Sequence, residues 1–142
     1  MFKLLKKNKT LCALIIVFLS FLAAYIFDYS RAQTFLIQVV EVSPSEPVAD
    51  GETPVAITVK LERFNKPVKN HNLFMVPMNG GVMKINRRKT DDNGTADFIY
   101  YPYRATILQP ARTVTIRVYD EDNSIFVVVN AKLDFDIVLR EP

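Results

Sequence analysis

The hydrophobic pattern changes character once the chain has passed its first thirty residues. From Leu11 to Phe27 every position is uncharged and nearly all are apolar. At 1.5 Å per residue those 17 residues span roughly 25 Å, and rim residues on either side complete a membrane-length helix over residues 10–29. Beyond it the period falls to two. Ile57, Val59 and Leu61 alternate with Thr58, Lys60 and Glu62, the mark of a strand with one buried face. The same reading gives strands over Thr34–Val42, Pro54–Arg63, Asn72–Met78, Val82–Ile85, Thr95–Tyr103 and Thr113–Tyr119. Pro77 points to an edge position for the third. Turns are expected at Ala49-Asp50-Gly51, Asn65-Lys66-Pro67, Asn79-Gly80-Gly81 and Asp120–Asn123, and Asn93-Gly94 reads as a hairpin turn into the Thr95 strand. The final run, Val127 to Leu139, holds one apolar phase for 13 residues. A strand of that length is roughly 43 Å, against about 17–20 Å for an ordinary one. Either it bends at Asn130 and crosses between sheets, or its end projects as a strand open to pairing.

Charge orients the segment. Lys3, Lys6, Lys7 and Lys9 carry the basic excess, leaving 14 basic against 15 acidic groups over residues 10–142. By the positive-inside rule the N-terminus is cytoplasmic and the rest extracytoplasmic, which places the protein in the plasma (inner) membrane. The expected organisation is a basic tail over residues 1–9, a signal-anchor helix over 10–29 with Leu11 and Phe27 among its membrane residues, and a domain over 30–142. The competing reading is a cleaved signal peptide, with Ser30-Arg31-Ala32 as its processing site. The anchor is preferred because the apolar run is long for a signal peptide and Tyr25, Phe27 and Tyr29 resemble an interfacial aromatic belt. A near-neutral domain lacks the field that nucleic-acid binding needs. Cys12 is the sole cysteine, so the domain has no disulfide.

Ala49-Asp50-Gly51-x-Thr53, the alternating strand Ile57–Leu61, Pro67-Val68, and the segment Thr90-Asp91-Asp92-Asn93-Gly94-Thr95-Ala96 resemble the pattern of the bacterial immunoglobulin-like domain of the invasin and intimin type. The resemblance covers about residues 36–131. It implies an all-β, Ig-like Greek-key β-sandwich of about seven strands, here preceded by one transmembrane α-helix, and a role in protein–protein contact or adhesion. Two features depart from the pattern. Phe64-Asn65-Lys66 replaces a glycine-containing turn, and no second copy of the repeat is present.

The candidate chemistry is sparse. His71 is the one histidine, no cysteine lies in the domain, and no serine or threonine stands in a nucleophile context, so no catalysis and no cofactor are expected. Asp91, Asp92 and Asn93, or Asp120 to Asn123, offer oxygens for Ca²⁺ but lack the spacing of a calcium loop. Tyr100, Tyr101, Tyr103 and Arg104 cluster at a strand end as a candidate binding surface. Lys84, Arg87, Arg88 and Lys89 form a basic patch suited to anionic headgroups or polymers. Phe135 and Ile137 carry the apolar phase of the last run past the resemblance, and are covered either by their own sheet or by a partner's added strand. These features point to a non-enzymatic, single-pass envelope protein that contacts another envelope or membrane-complex protein. The alternative is an accessory that binds glycan, anionic polymer or Ca²⁺.

Overall fold

The computed structural model describes residues 8–142. Lys3, Lys6 and Lys7, three of the four lysines of the expected cytoplasmic tail, lie outside them; Lys9 begins the helix. Helix α1 (Lys9–Ala32) is capped by Asn8 and is long and apolar enough to cross a membrane, with a mean hydropathy of 2.6 and almost all of its surface exposed. It runs three residues past the expected boundary at Tyr29. Thr34 ends it, donating both its backbone N–H and its hydroxyl to the carbonyl of Arg31. Only Gln33 and Thr34 separate α1 from β1 (Phe35–Ser43).

The remaining strands are β2 (Val55–Arg63), β3 (Lys66–Pro67), β4 (Asn72–Pro77), β5 (Val82–Met83), β6 (Arg87–Lys89), β7 (Thr95–Tyr101), β8 (Thr113–Asp120) and β9 (Lys132–Val138). One sheet has the order β1-β2-β7-β5, with β3 hairpinned onto β2; the other runs β6-β4-β8-β9, and all pairings between these strands are antiparallel. The chain passes back and forth between the sheets from β4 to β8, giving the expected Greek-key sandwich. After β1 the chain crosses over, and Val48 pairs in parallel with Arg140 just beyond β9, closing one seam.

Period-2 alternation explains the core. Val55, Ile57, Val59 and Leu61 of β2 and Phe98 and Tyr100 of β7 face Leu73 and Met75 of β4 and Val114, Ile116 and Val118 of β8, all buried. Removing such side chains from water supplies most of the driving force for the fold, about 1.5–3 kcal/mol each.

Three expectations need correction. Asn93-Gly94 is not a hairpin: β6 and β7 belong to different sheets, and the Thr90–Gly94 segment is a crossover. The local signal specifies positive φ at Gly94 (74°) but not which strands flank it. A Cβ there would meet the carbonyl oxygen of Leu61 at 2.6 Å, so glycine is required by packing as well. Strand β4 is internal, between β6 and β8; Pro77 is tolerated because β6 pairs only with residues 72–74. The long terminal strand is short. Residues 121–131 form a loop, and only Lys132–Val138 join the sheet, paired with β8.

The acidic turns brace backbone. Asp91 accepts the N–H groups of Asn93 and Thr95 and the Thr95 hydroxyl. Asp120 accepts the Asp122 N–H and meets His71 Nδ1 at 2.7 Å, while Asp122 accepts both nitrogens of Asn72.

Candidate functional site

Register assigns most loops to one of two poles. Phe35, two residues past α1, pairs with Arg63, and Tyr119 pairs with Lys132, so the β2–β3 hairpin, the Thr90–Gly94 crossover and the 121–131 loop share the helix pole. The opposite pole carries residues 44–54, 78–81 and 102–112, tied together by the Asp50–Arg104 bridge.

The tyrosine cluster lies at this distal pole, but its members do different things. Tyr100 is fully buried and donates its hydroxyl to the Gly80 carbonyl at 3.0 Å; it belongs to the core, not to a surface. Burial, with Tyr103 alongside, pushes its phenol up to about 12. Gly81 makes room for it, since a Cβ would fall 2.3 Å from the hydroxyl. Tyr101 and Tyr103 are half-buried. Tyr103 donates to the Pro110 carbonyl at 2.9 Å, under the Arg112 guanidinium. Arg104 donates to the Asp50 carbonyl and to Glu52 Oε1. Together these groups splay a loop whose tip is Ile107-Leu108, closed by reciprocal Thr106–Gln109 bonds of 2.8 and 3.0 Å. Ile107 and Leu108 are 100% and 98% exposed. Their signal in the sequence is an adjacent apolar pair amid loop residues, which alternation does not detect.

At the helix pole, Asp28 and Ala32 of α1 are buried against the domain. The Asp28 carboxylate accepts three successive backbone N–H groups, from Ile125, Phe126 and Val127, at 2.5–2.9 Å. Arg31 Nε donates to the Asn123 carbonyl at 2.7 Å, and Phe27 meets Phe126 edge-on at 5.6 Å between ring centroids. Arg31 and Arg63 both lie over the ring of Phe35, and Arg63 also donates to the Thr34 hydroxyl. A cleft of about 680 Å³ opens between α1 and the second sheet, lined by Tyr25, Tyr29, Arg117, Tyr119, Asn130 and Lys132 among others. Asn130 Oδ1 is buried without a hydrogen-bond partner beside it.

No protein-family model and no curated protein matches the sequence significantly. Among solved structures, the D0-D1 domain of intimin superposes with a TM-score of 0.50 at 22% identity, covering 75% of this chain and 50% of that one. The D00-D0 domain of intimin gives 0.53 at 12% identity, over 72% and 46%. The sandwich has the intimin-type immunoglobulin-like fold. The chain spans about half the length of the intimin fragments it matches. A conjugative transposon lipoprotein from Bacteroides eggerthii is also similar, at a TM-score of 0.47 and 19% identity, covering 72% of this chain and 95% of that one.

Within the intimin-type frame the other candidate residues find their places. Phe135 packs against the core and Ile137 and Leu139 are buried in it, so their apolar phase is covered by their own sandwich and not by an added strand. Three of the four residues of the basic patch form the edge strand β6, and Lys84 follows β5. Arg87 makes a two-pronged pair with Glu121 (2.5 and 2.8 Å), which holds its guanidinium above the usual range. Lys84, Arg88 and Lys89 are exposed and make no ion pair among the described residues. Charge along an unpaired sheet edge discourages edge-to-edge association, which is a sufficient reason for three cations in β6. Leu11 and Phe27 lie on the exposed surface of α1.

Proposed function

We propose that the protein is a non-enzymatic, single-pass envelope protein that uses its membrane-distal loop to hold a protein partner. Residues 1–9 are its cytoplasmic tail, α1 its uncleaved anchor in the inner membrane, and the sandwich its extracytoplasmic part. The observation that carries this reading is the Ile107-Leu108 tip. Two adjacent large apolar side chains in full solvent at the pole opposite the helix are a liability unless a partner covers them. The hydrogen-bonded loop beneath them, with Tyr103 and Arg104 alongside, has the composition of a binding hot spot.

The topology is tested by a reporter fused after Pro142, expected outside the cytoplasm, and by resistance of the full-length protein to carbonate extraction. Binding is tested by purification in mild detergent. A stoichiometric partner should be lost on Ile107→Ser with Leu108→Ser while the melting temperature is unchanged. Retention of that partner by the double variant removes the loop from the interface. A lone monomer that takes up Ca²⁺ or glycan favours the ligand-binding alternative.

A further inference from the structure

The loop clamped by Asp28 has an unusual surface. Ser124 to Val129 reads Ser-Ile-Phe-Val-Val-Val, and Ile125, Phe126 and Val128 are 57%, 66% and 84% exposed. Its side chains are thus offered to the surroundings, while most of its N–H groups are held within the protein. The N–H groups of residues 125–127 are taken by Asp28, that of Val129 by Ser124 Oγ, and that of Ala131 by Asn123 Oδ1. The Val129 carbonyl accepts from both Ser124 and Asn123. Non-helical backbone at membrane depth needs its polar groups satisfied, and an acid, a serine and an amide take five N–H groups here. The Val128 N–H and the carbonyls of residues 125–128, which have no partner among the described residues, keep the loop at the shallow, interfacial depth where water and headgroups pair them.

Position along α1 agrees. A hydrocarbon core of about 30 Å needs about 20 helical residues, so a span beginning at Leu11 ends near Ser30, beyond the 17-residue apolar run. The clamp fixes Ile125–Val127 beside Asp28, within that last turn. Phe64, 70% exposed on the β2–β3 hairpin at the same pole, and Lys66 and Lys69 next to it, have the chemistry of an interfacial anchor on the same side.

We propose that the Ser124–Val129 loop inserts into the outer leaflet of the bilayer beside α1, with Phe126 and Val128 as the inserted side chains, so that helix and loop together fix the tilt of the sandwich on the membrane. This rests on the reading of α1 as a spanning anchor. The occupant of the apolar loop is lipid because the loop is continuous with the exposed apolar face of α1 through the Phe27–Phe126 contact.

The protein has no tryptophan, so a single introduced one is a clean depth reporter. Full-length chains carrying Phe126→Trp, Val128→Trp, Phe18→Trp or Leu108→Trp are reconstituted singly in phosphatidylcholine–phosphatidylglycerol vesicles containing lipids brominated at defined acyl positions. Expected are blue-shifted emission and quenching by shallow bromines at 126 and 128, quenching by deep bromines at 18, and red-shifted, unquenched emission at 108. Quenching at 18 without quenching at 126 and 128 overturns loop insertion and leaves the anchor standing. Absence of quenching at all three positions overturns the anchor, and insertion with it. Emission at 126 and 128 that shifts with protein-to-lipid ratio but is not quenched means that a second copy covers the loop, which also overturns the proposal.

Discussion

Asp50 shows how much one side chain does where the chain turns back into the first sheet. Its carboxylate accepts the Thr53 hydroxyl and the N–H groups of Thr53 and Glu52, and these bonds hold its carboxyl at about 2, well below the usual aspartate range. Asp91 repeats the arrangement with Thr95 and Asn93 and is lowered for the same reason. A carboxyl depressed in the folded state contributes stability that is complete above its unfolded pKa and lost as pH falls toward the folded one. The melting temperature of the detergent-solubilised protein is therefore expected to fall between roughly pH 4 and pH 2. Asp50→Asn should be less stable at neutral pH and should lose less on acidification than the parent. Parallel pH profiles would mean that the turn does not depend on the ionised form. The sequence made this residue legible, because Asp-Gly-x-Thr has a local mechanism in which side chain and turn are three residues apart. Asp28 was not legible in the same way: its partners lie about a hundred positions away, and beside an apolar run it reads as a rim charge.

Strands are legible in the sequence in proportion to how far burial imposes alternation on them. β2, β7 and β8 bury one face completely, so every second residue is apolar, and the sequence shows it. β6 buries nothing, and three cations at a sheet edge look like a turn. Val127 and Val129 keep the phase of β9, yet Asp28, Asn123 and Ser124 capture the backbone groups that a ladder would have used. The β2–β3 hairpin raises a different question. Phe64 (φ 51°) and Asn65 (φ 60°) are the two loop residues between the paired Arg63 and Lys66, the pattern of a type I′ turn, which favours Asn-Gly. A bulky residue is strained there, by about 1–2 kcal/mol, and the Arg63 guanidinium lies over its ring. Phe64→Gly is expected to stabilise the sandwich by about 1 kcal/mol in chemical denaturation. A loss of stability would show that the ring contributes to the fold rather than to a surface beyond it.

At the scale of the whole molecule, the question is whether helix and sandwich are one body or two joined by a tether. A two-residue connection alone would permit wide excursions of the domain. The contacts at the helix pole oppose them, since the last two turns of α1 supply Asp28 to three amides, Arg31 to the Asn123 carbonyl and Phe27 to Phe126. A hydrogen bond to a charged group contributes about 1.5–3 kcal/mol, so even with non-additive contributions the clamp exceeds thermal energy several-fold. It also gives the residues around the alternative processing site a structural task, because cleavage after Ala32 would remove the acid that orders the 124–129 loop. Asp28→Ala in the full-length protein separates the clamp from the fold. In detergent, the amides of Ile125, Phe126 and Val127 are expected to exchange at least about tenfold faster, while those of β2, β7 and β8 keep their protection. Unchanged exchange at residues 125–127 would show that the loop holds its shape without the helix, and that the sandwich is free to swing on Gln33 and Thr34. Faster exchange throughout the sandwich would show instead that α1 is part of the folding unit.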